Sequence, residues 1–314
     1  YSILLSHLSR VTTLLLGLSL EDPSLKHLLR QNAKQNPGHY HYYVAYVDEA
    51  KGPPNPAQQA AVVGSNFDVY NLVTLFLTAA EIAALGKLLN ADSRMLADLA
   101  DAEGVPLSFC FYLSGAVGVG KTTAVRLFPS LTMVDEWIDP KHPLLLKPFT
   151  ELDAAQKHEV DEWVALQFRK KNWLLLNDPE GVQVVDRCQL DPLGFETDEK
   201  RARRAGELLA AIVPGRSKRR LRAGHVILLH GDDSTMAART QDRHKGATSE
   251  YIAKQQQVFD SIYPTGGVTR LNVKDLAPDD VVRRVAKLIH LLPYSECNLH
   301  ERLQEIITAG KEQH

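Results

Sequence analysis

Residues 115–122 read Gly-Ala-Val-Gly-Val-Gly-Lys-Thr and fill every fixed position of the phosphate-binding pattern G-x-x-x-x-G-K-[ST]. Gly115, Gly118 and Gly120 let the chain turn tightly, so that backbone N–H groups face phosphate oxygens and a following helix adds its N-terminal dipole. Lys121 would hold the β- and γ-phosphates of ATP and the Thr122 hydroxyl would ligate Mg²⁺, with Thr123 completing the cofactor-binding set. Phosphoryl transfer asks for positioning and charge neutralisation more than for covalent catalysis. Lys121, Thr122, Asp186, Arg187, Arg239 and Arg243 are the residues that could supply these parts. A carboxylate beside the acceptor hydroxyl would act as general base or orienter; Glu136 is the first choice and Asp135 the second.

These residues need a frame. Leu107-Ser108-Phe109-Cys110-Phe111-Tyr112-Leu113 is apolar and aromatic, as a buried parallel strand requires, and 122–128 reads as the first turns of a helix. Leu131 to Val134 is a short strand that delivers Asp135-Glu136-Trp137 to its carboxyl end, the edge where open parallel sheets bind ligands. A long amphipathic segment, 151–173, gathers Val160, Trp163, Val164, Leu166, Gln167 and Phe168 near one face, and both Trp163 and Trp173 are expected in the core. Residues 177–181 form a turn into the strand 182–185, closed by Asp186-Arg187-Cys188. The strand 225–229, a turn plus last strand over 266–273, a core helix over 279–292 and a final helix over 296–308 complete this half.

Upstream, 10–16 reads as a strand, Gly17 as a turn and the leucines at 25, 28 and 29 as a helix capped by Asp22 with Pro23 at its first position. A second strand is expected over 39–47, a Pro-rich loop over 51–56, and helices throughout 57–103, clearest at 79–90 and 92–103. Gly104-Val105-Pro106 breaks the pattern, so the domain boundary falls within 91–106, giving a segment 1–103 and a domain 104–314.

Two resemblances attach to these motifs. Gly115 to Thr122, the acids at 135 and 136, Val184-Val185-Asp186-Arg187-Cys188 and the strand 225–229 leading into Arg239 and Arg243 follow one another as in P-loop deoxynucleoside and thymidylate kinases, which 105–300 resembles. The resemblance implies a doubly wound parallel-sheet α/β domain in which Asp186 and Arg187 meet Mg²⁺ and the acceptor nucleoside or nucleotide. It also implies that Arg239-Thr240-Gln241-Asp242-Arg243-His244-Lys245 belongs to an arginine-rich lid. Cys188 stands where Ser, Tyr or Trp is usual. The stretch Leu14-Leu15-Leu16-Gly17-Leu18-Ser19-Leu20-Glu21-Asp22-Pro23 is similar to the late part of bacterial sirtuin-like domains, in which Gly17 and Ser19 would approach the ribose of NAD. That family's early glycine-rich loop and its catalytic Asn and His precede the matched region, so NAD is implied only for a longer chain. A chain that opens with Tyr1 fits that expectation of a longer protein.

The 314 residues are 44% hydrophobic and carry a formal charge of −2, which suits two globular domains. The balance hides a basic run over 200–222 (Lys200, Arg201, Arg203, Arg204, Arg216, Lys218, Arg219, Arg220, Arg222), expected as a mobile, solvent-facing arm that meets nucleic acid weakly or not at all. Cys110, Cys188 and Cys297 lack metal-type spacing and point to a reducing, cytoplasmic setting. No apolar run approaches the length of a membrane span, and an oligomer is compatible with the final helix. The expected activity is ATP- and Mg²⁺-dependent phosphoryl transfer to a nucleoside or nucleotide. The alternatives are a nucleotide-sensing module controlling a sirtuin-like NAD-cleaving effector, as in antiviral defence, and a kinase acting on nucleic acid.

Overall fold

A computed structural model of the chain describes all residues except 1, 53–54, 148–150, 178–180, 214–219, 241–246, 264 and 312–314, with only the backbone described at Ser2. In chain order the first elements are α1 (Ser2–Leu8), β1 (Leu14–Leu15), α2 (Pro23–Gln35), β2 (His41–Tyr46), α3 (Pro56–Tyr70), β3 (Leu72–Leu77), α4 (Ala79–Leu89) and α5 (Ser93–Glu103). Next come β4 (Ser108–Gly115), α6 (Lys121–Val125), β5 (Thr132–Val134), α7 (Ala154–Asn177), β6 (Gly181–Asp186) and α8 (Asp198–Ile212). The chain ends with β7 (His225–His230), α9 (Asp233–Thr240), α10 (Ser249–Ile262), β8 (Val268–Asn272), α11 (Pro278–Leu291) and α12 (Leu299–Lys311). Two compact units result: Tyr1–Leu107 with Leu127–Ser130 and Ala277–Leu292, and Ser108–Arg126 with Leu131–Leu276 and Pro293–His314.

The first unit carries a three-stranded parallel sheet in the order β1-β2-β3, with His41 paired to Leu72 and Tyr46 to Leu77. Its core joins Leu8, Leu15, Leu25, Leu29, Tyr70 and Leu72. α2 begins as its sequence dictates: the Asp22 carboxylate accepts the Ser24 N–H at 2.8 Å and Pro23 occupies the first turn. The strand expected over 10–16 shrinks to two residues, and the all-helical reading of 57–103 is wrong at its centre. Asn71 stops α3 in the left-handed conformation (φ 53°), β3 follows at once, and a capping box between Thr78 and Glu81 starts α4. Six residues, five of them apolar, between two helices with no Gly or Pro cannot be told from buried helix by periodicity alone.

His41 is fully buried in this unit. Its Nδ1 lies 3.2 Å from the Thr13 N–H and its Nε2 lies 3.0 Å from the Asn32 side-chain nitrogen, whose carbonyl oxygen accepts from Asn36. Burial, with the His39 ring beside it, pushes its pKa down to about 4. A histidine depressed from its ordinary 6.5 stabilises the fold fully above that pH and loses its contribution as pH falls toward 4, an effect of about 3 kcal/mol. Thermal unfolding followed from pH 7 to pH 4 should therefore show a falling midpoint across this window. His41→Gln should make the profile shallower, the remainder coming from His290, which burial also pushes down to about 4; an unchanged slope in that variant would remove His41 as a cause.

The second unit is built on a five-stranded, all-parallel sheet in the order β5-β6-β4-β7-β8. Numbered by their own succession the strands run 2-3-1-4-5, so the chain leaves the central strand to one side, fills it, and crosses to the other. This is a doubly wound α/β sheet whose switch point lies at the carboxyl end of β4. β4 is buried from Cys110 onward because both of its faces are covered, which explains its unbroken apolar sequence. No helix among the described residues is long and apolar enough to cross a membrane.

The basic segment does not form an arm over the part that is described. Residues 198–212 are helix α8, where Arg204 is nearly buried against Asp161 (2.8 Å) and Glu207 (3.4 Å), and Arg201 pairs with Asp198 (2.7 Å). Arg222 is also engaged, donating to the Ser108 hydroxyl at 2.7 Å. Small side chains let α12 pack tightly on α8, with Gly310 against Ala202. The basic residues sit at helical spacing between acids, so charge density alone misrepresented them; Arg216, Lys218 and Arg219 lie outside the described residues.

Candidate active site

The phosphate loop leaves β4 at the switch point. Gly115 (φ 137°) lies so close to β7 that a Cβ would sit 2.5 Å from the Leu229 carbonyl oxygen. Gly118 (φ 78°) passes under α9, where a Cβ would meet Met236 O and the Thr240 methyl at 2.7 Å each. Both positions demand glycine for backbone conformation and for space. Gly120 differs from them: it is the N-cap of α6 in the left-handed region (φ 101°), but a Cβ there would meet nothing within 4 Å. Its contribution to the loop is therefore conformational only, and as a cap it brings no side-chain hydrogen bond to the helix start. From the other side Gln255 of α10 accepts the Val117 N–H at 2.9 Å, and Gln256 brackets Gly231 through both its N–H and its C=O.

Lys121 opens α6 and folds back over the loop, donating to the carbonyls of Gly115 (2.7 Å) and Ala116 (2.9 Å). Burial, aided by Arg187, pushes its pKa down to about 8, against the pull of Asp191, Asp186 and Glu136. α6 ends at Val125, short of the turns expected over 122–128, because Pro129 disfavours helical backbone at Phe128. Five residues add little dipole, so anion binding falls mainly to Lys121 and the loop amides. Thr122 is half-buried and Thr123 exposed.

Asp186 stands on the neighbouring strand, paired in register with Leu113 two residues before the loop. Its side chain is completely buried and neither carboxylate oxygen has a hydrogen-bond partner. A buried carboxylate with two open oxygens beside a phosphate loop fits a hard divalent cation such as Mg²⁺, which takes one or two carboxylates and completes its shell with phosphate and water. Thr122 and Asp186 are the residues that would hold it.

Arg187 follows in the left-handed conformation (φ 69°), unusual for a residue with a Cβ, and its N–H is held by Leu113 O at 3.0 Å. The turn aims its guanidinium at Glu136, Nε to Oε1 2.5 Å, with the Phe195 ring 5.7 Å away. Burial alone would raise the Glu136 pKa, but Arg187 and Lys121 outweigh it and hold the carboxyl below its ordinary value. Glu136 thus remains a carboxylate at neutral pH, while Asp135 is exposed, with Arg126 at 3.9 Å. The loop after Glu136 is strapped to α7: Gln167 Oε1 accepts the N–H groups of Ile138 (3.0 Å) and Asp139 (2.9 Å).

Lys121, Glu136, Asp186 and Arg187 therefore come together at the carboxyl edge of the sheet. Arg239 lies exposed in the last turn of α9, the helix that covers Gly118, whereas Arg243 lies outside the described residues. Gly17 (φ 71°) and Ser19 form an exposed turn in the first unit, Ser19 Oγ accepting the Glu21 N–H at 3.1 Å. Neither tryptophan expected in the core is buried there: Trp163 is half-buried, packing 5.0 Å from Trp137, and Trp173 is 54% exposed.

Two buried groups were missed by sequence reasoning. Lys171 of α7 is fully buried and donates to the Asp186 carbonyl at 2.7 Å; burial pushes its pKa down to about 8. It sits three residues after Phe168 and four before Leu175 on the buried stripe, and a lysine there was the available signal. Asp191 accepts short bonds from Ser114 Oγ and Tyr263 OH (2.5 Å each) beneath the loop, and burial raises its pKa. No local pattern marks it.

No protein-family model and no curated protein matches the chain. Among solved structures it is similar to thymidylate kinase from Candida albicans (16% identity, TM-score 0.39, covering 58% of this chain and 91% of that one). It is also similar to deoxyadenosine kinase from M. mycoides with bound dATP (13%, TM-score 0.44, 58% and 99%) and to thymidylate kinase from Ehrlichia chaffeensis (14%, TM-score 0.37, 59% and 100%). The doubly wound parallel α/β fold with its glycine-rich loop rests on the strand order and the loop geometry described above.

Proposed function

We propose that the second unit transfers the γ-phosphoryl group of ATP to a hydroxyl of a nucleoside or nucleotide. The observation that carries this reading is the buried carboxylate of Asp186, open at both oxygens, on the strand next to a phosphate loop whose lysine is already folded over it. Lys121 and the loop amides would bind the β- and γ-phosphates, and Arg187 and Arg239 would meet charge that develops during transfer. Thr122 and Asp186 would hold Mg²⁺, which would supply positive charge against the phosphates. Glu136, kept ionised by Arg187, would accept the hydrogen bond of the attacking hydroxyl and orient it.

The test is a screen of nucleosides, nucleotides and DNA for transfer of labelled phosphate from ATP, with Lys121→Ala as the control. Transfer to one small acceptor class that vanishes in the variant supports the reading. Transfer to DNA alone would replace it with a nucleic-acid kinase. Lys121-dependent ATP binding without transfer to any acceptor would leave a nucleotide sensor, the role in which a sirtuin-like effector would be the controlled partner.

A further inference from the structure

Gln167 and Lys171 lie one turn apart on α7, both fully buried, and each reaches a different segment of the site. Gln167 holds the backbone N–H groups of Ile138 and Asp139, just past Glu136, and its amide also donates to Asp139 Oδ2 at 2.8 Å. Lys171 holds the Asp186 carbonyl, the peptide oxygen at the point where Arg187 turns left-handed. Glu136 and Arg187, 51 positions apart in sequence, are thereby brought to 2.5 Å from a single helix face.

We propose that Gln167 and Lys171 are positioning residues that set the Glu136–Arg187 pair. The physical case is one of unmet groups. A left-handed non-glycine residue persists only where its surroundings over-determine it. Here Leu113 O takes the Arg187 N–H on one side and Lys171 takes the preceding carbonyl on the other. Without the ammonium that carbonyl loses a charge-assisted hydrogen bond, and the turn is freer to relax toward ordinary β conformation, which swings the guanidinium off Glu136. A lysine is suited to the task because its long stem crosses the apolar layer beside Phe168, whose ring lies 5.3 Å from Nζ.

The inference rests on the phosphoryl-transfer reading for its kinetic arm and is independent of it for its structural arm. In Lys171→Met, amide exchange over 186–190 should rise about tenfold or more while 182–185 stays protected. Unaltered exchange there would overturn the proposal whether or not the protein transfers phosphate. Where transfer is measurable, Lys171→Met and Gln167→Met should each lower kcat about 10- to 100-fold with the KM for ATP within about threefold. In an Arg187→Ala background the same changes should cost no more than about twofold, since the pair they set is already gone. Equal losses in both backgrounds would make them general packing residues instead. If Lys171→Met does not fold, Lys171→Arg keeps a cationic donor and should retain protection of 186–190. Exchange in that variant as fast as in an Arg187→Gly chain would overturn the proposal.

Discussion

Lys121→Ala should weaken ATP binding about 10- to 100-fold or more, the loss expected when charge-assisted hydrogen bonds to phosphate disappear. The ammonium is buried, tied to Gly115 O and Ala116 O, and so aimed before any nucleotide arrives. Little ordering remains to be done on binding, so most of its interaction with phosphate appears as affinity. The lysine's hydrogen bonds go to carbonyls of the loop, hence the fold should survive: far-ultraviolet dichroism and the unfolding midpoint are the controls. Calorimetry that finds wild type and variant binding ATP alike would mean that residues 115–122 are a turn without a ligand.

How far this site could be read in advance depends on the range of the interactions that build it. The phosphate loop is local: its glycines, lysine and threonine are adjacent in sequence, and the geometry at Gly115 and Gly118 follows from their spacing once β4 and β7 are neighbours. Asp186 and Glu136 were legible because one ends a strand and the other follows one by two residues, and strand ends at a switch point converge on one edge. Which acid of the pair at 135 and 136 turns inward is not local, since it depends on Arg187 and on the Gln167 strap. Lys171 reads as an ordinary exposed helix residue unless its stripe is counted, and Asp191 meets Tyr263 across 72 positions. β3 hid for a different reason: Asn71 and Thr78 cap the flanking helices with no glycine or proline to mark the break.

Asp186→Asn separates binding from chemistry more sharply than any other substitution here. Asparagine keeps the shape of the side chain and one oxygen but removes the negative charge from a buried position where neither Asp186 oxygen has a partner. Two effects follow. The carboxylate supports the positive charge on Lys121 and Lys171, so its loss should modestly weaken the hold on phosphate. On the proposed function its larger role would be to hold Mg²⁺, a source of positive charge against the phosphates whose contribution would grow toward the transition state. A group whose contribution increases along the reaction lowers kcat more than affinity when removed. Turnover should fall about 100- to 1,000-fold, the range seen when one preorganised electrostatic partner is lost, while ATP affinity changes by only several-fold. Raising Mg²⁺ concentration should recover part of the loss if the metal site is what weakened. Full turnover in Asp186→Asn would reduce the residue to a buried acid of the sheet, and a fall in ATP affinity as large as the fall in turnover would assign it to ground-state binding alone.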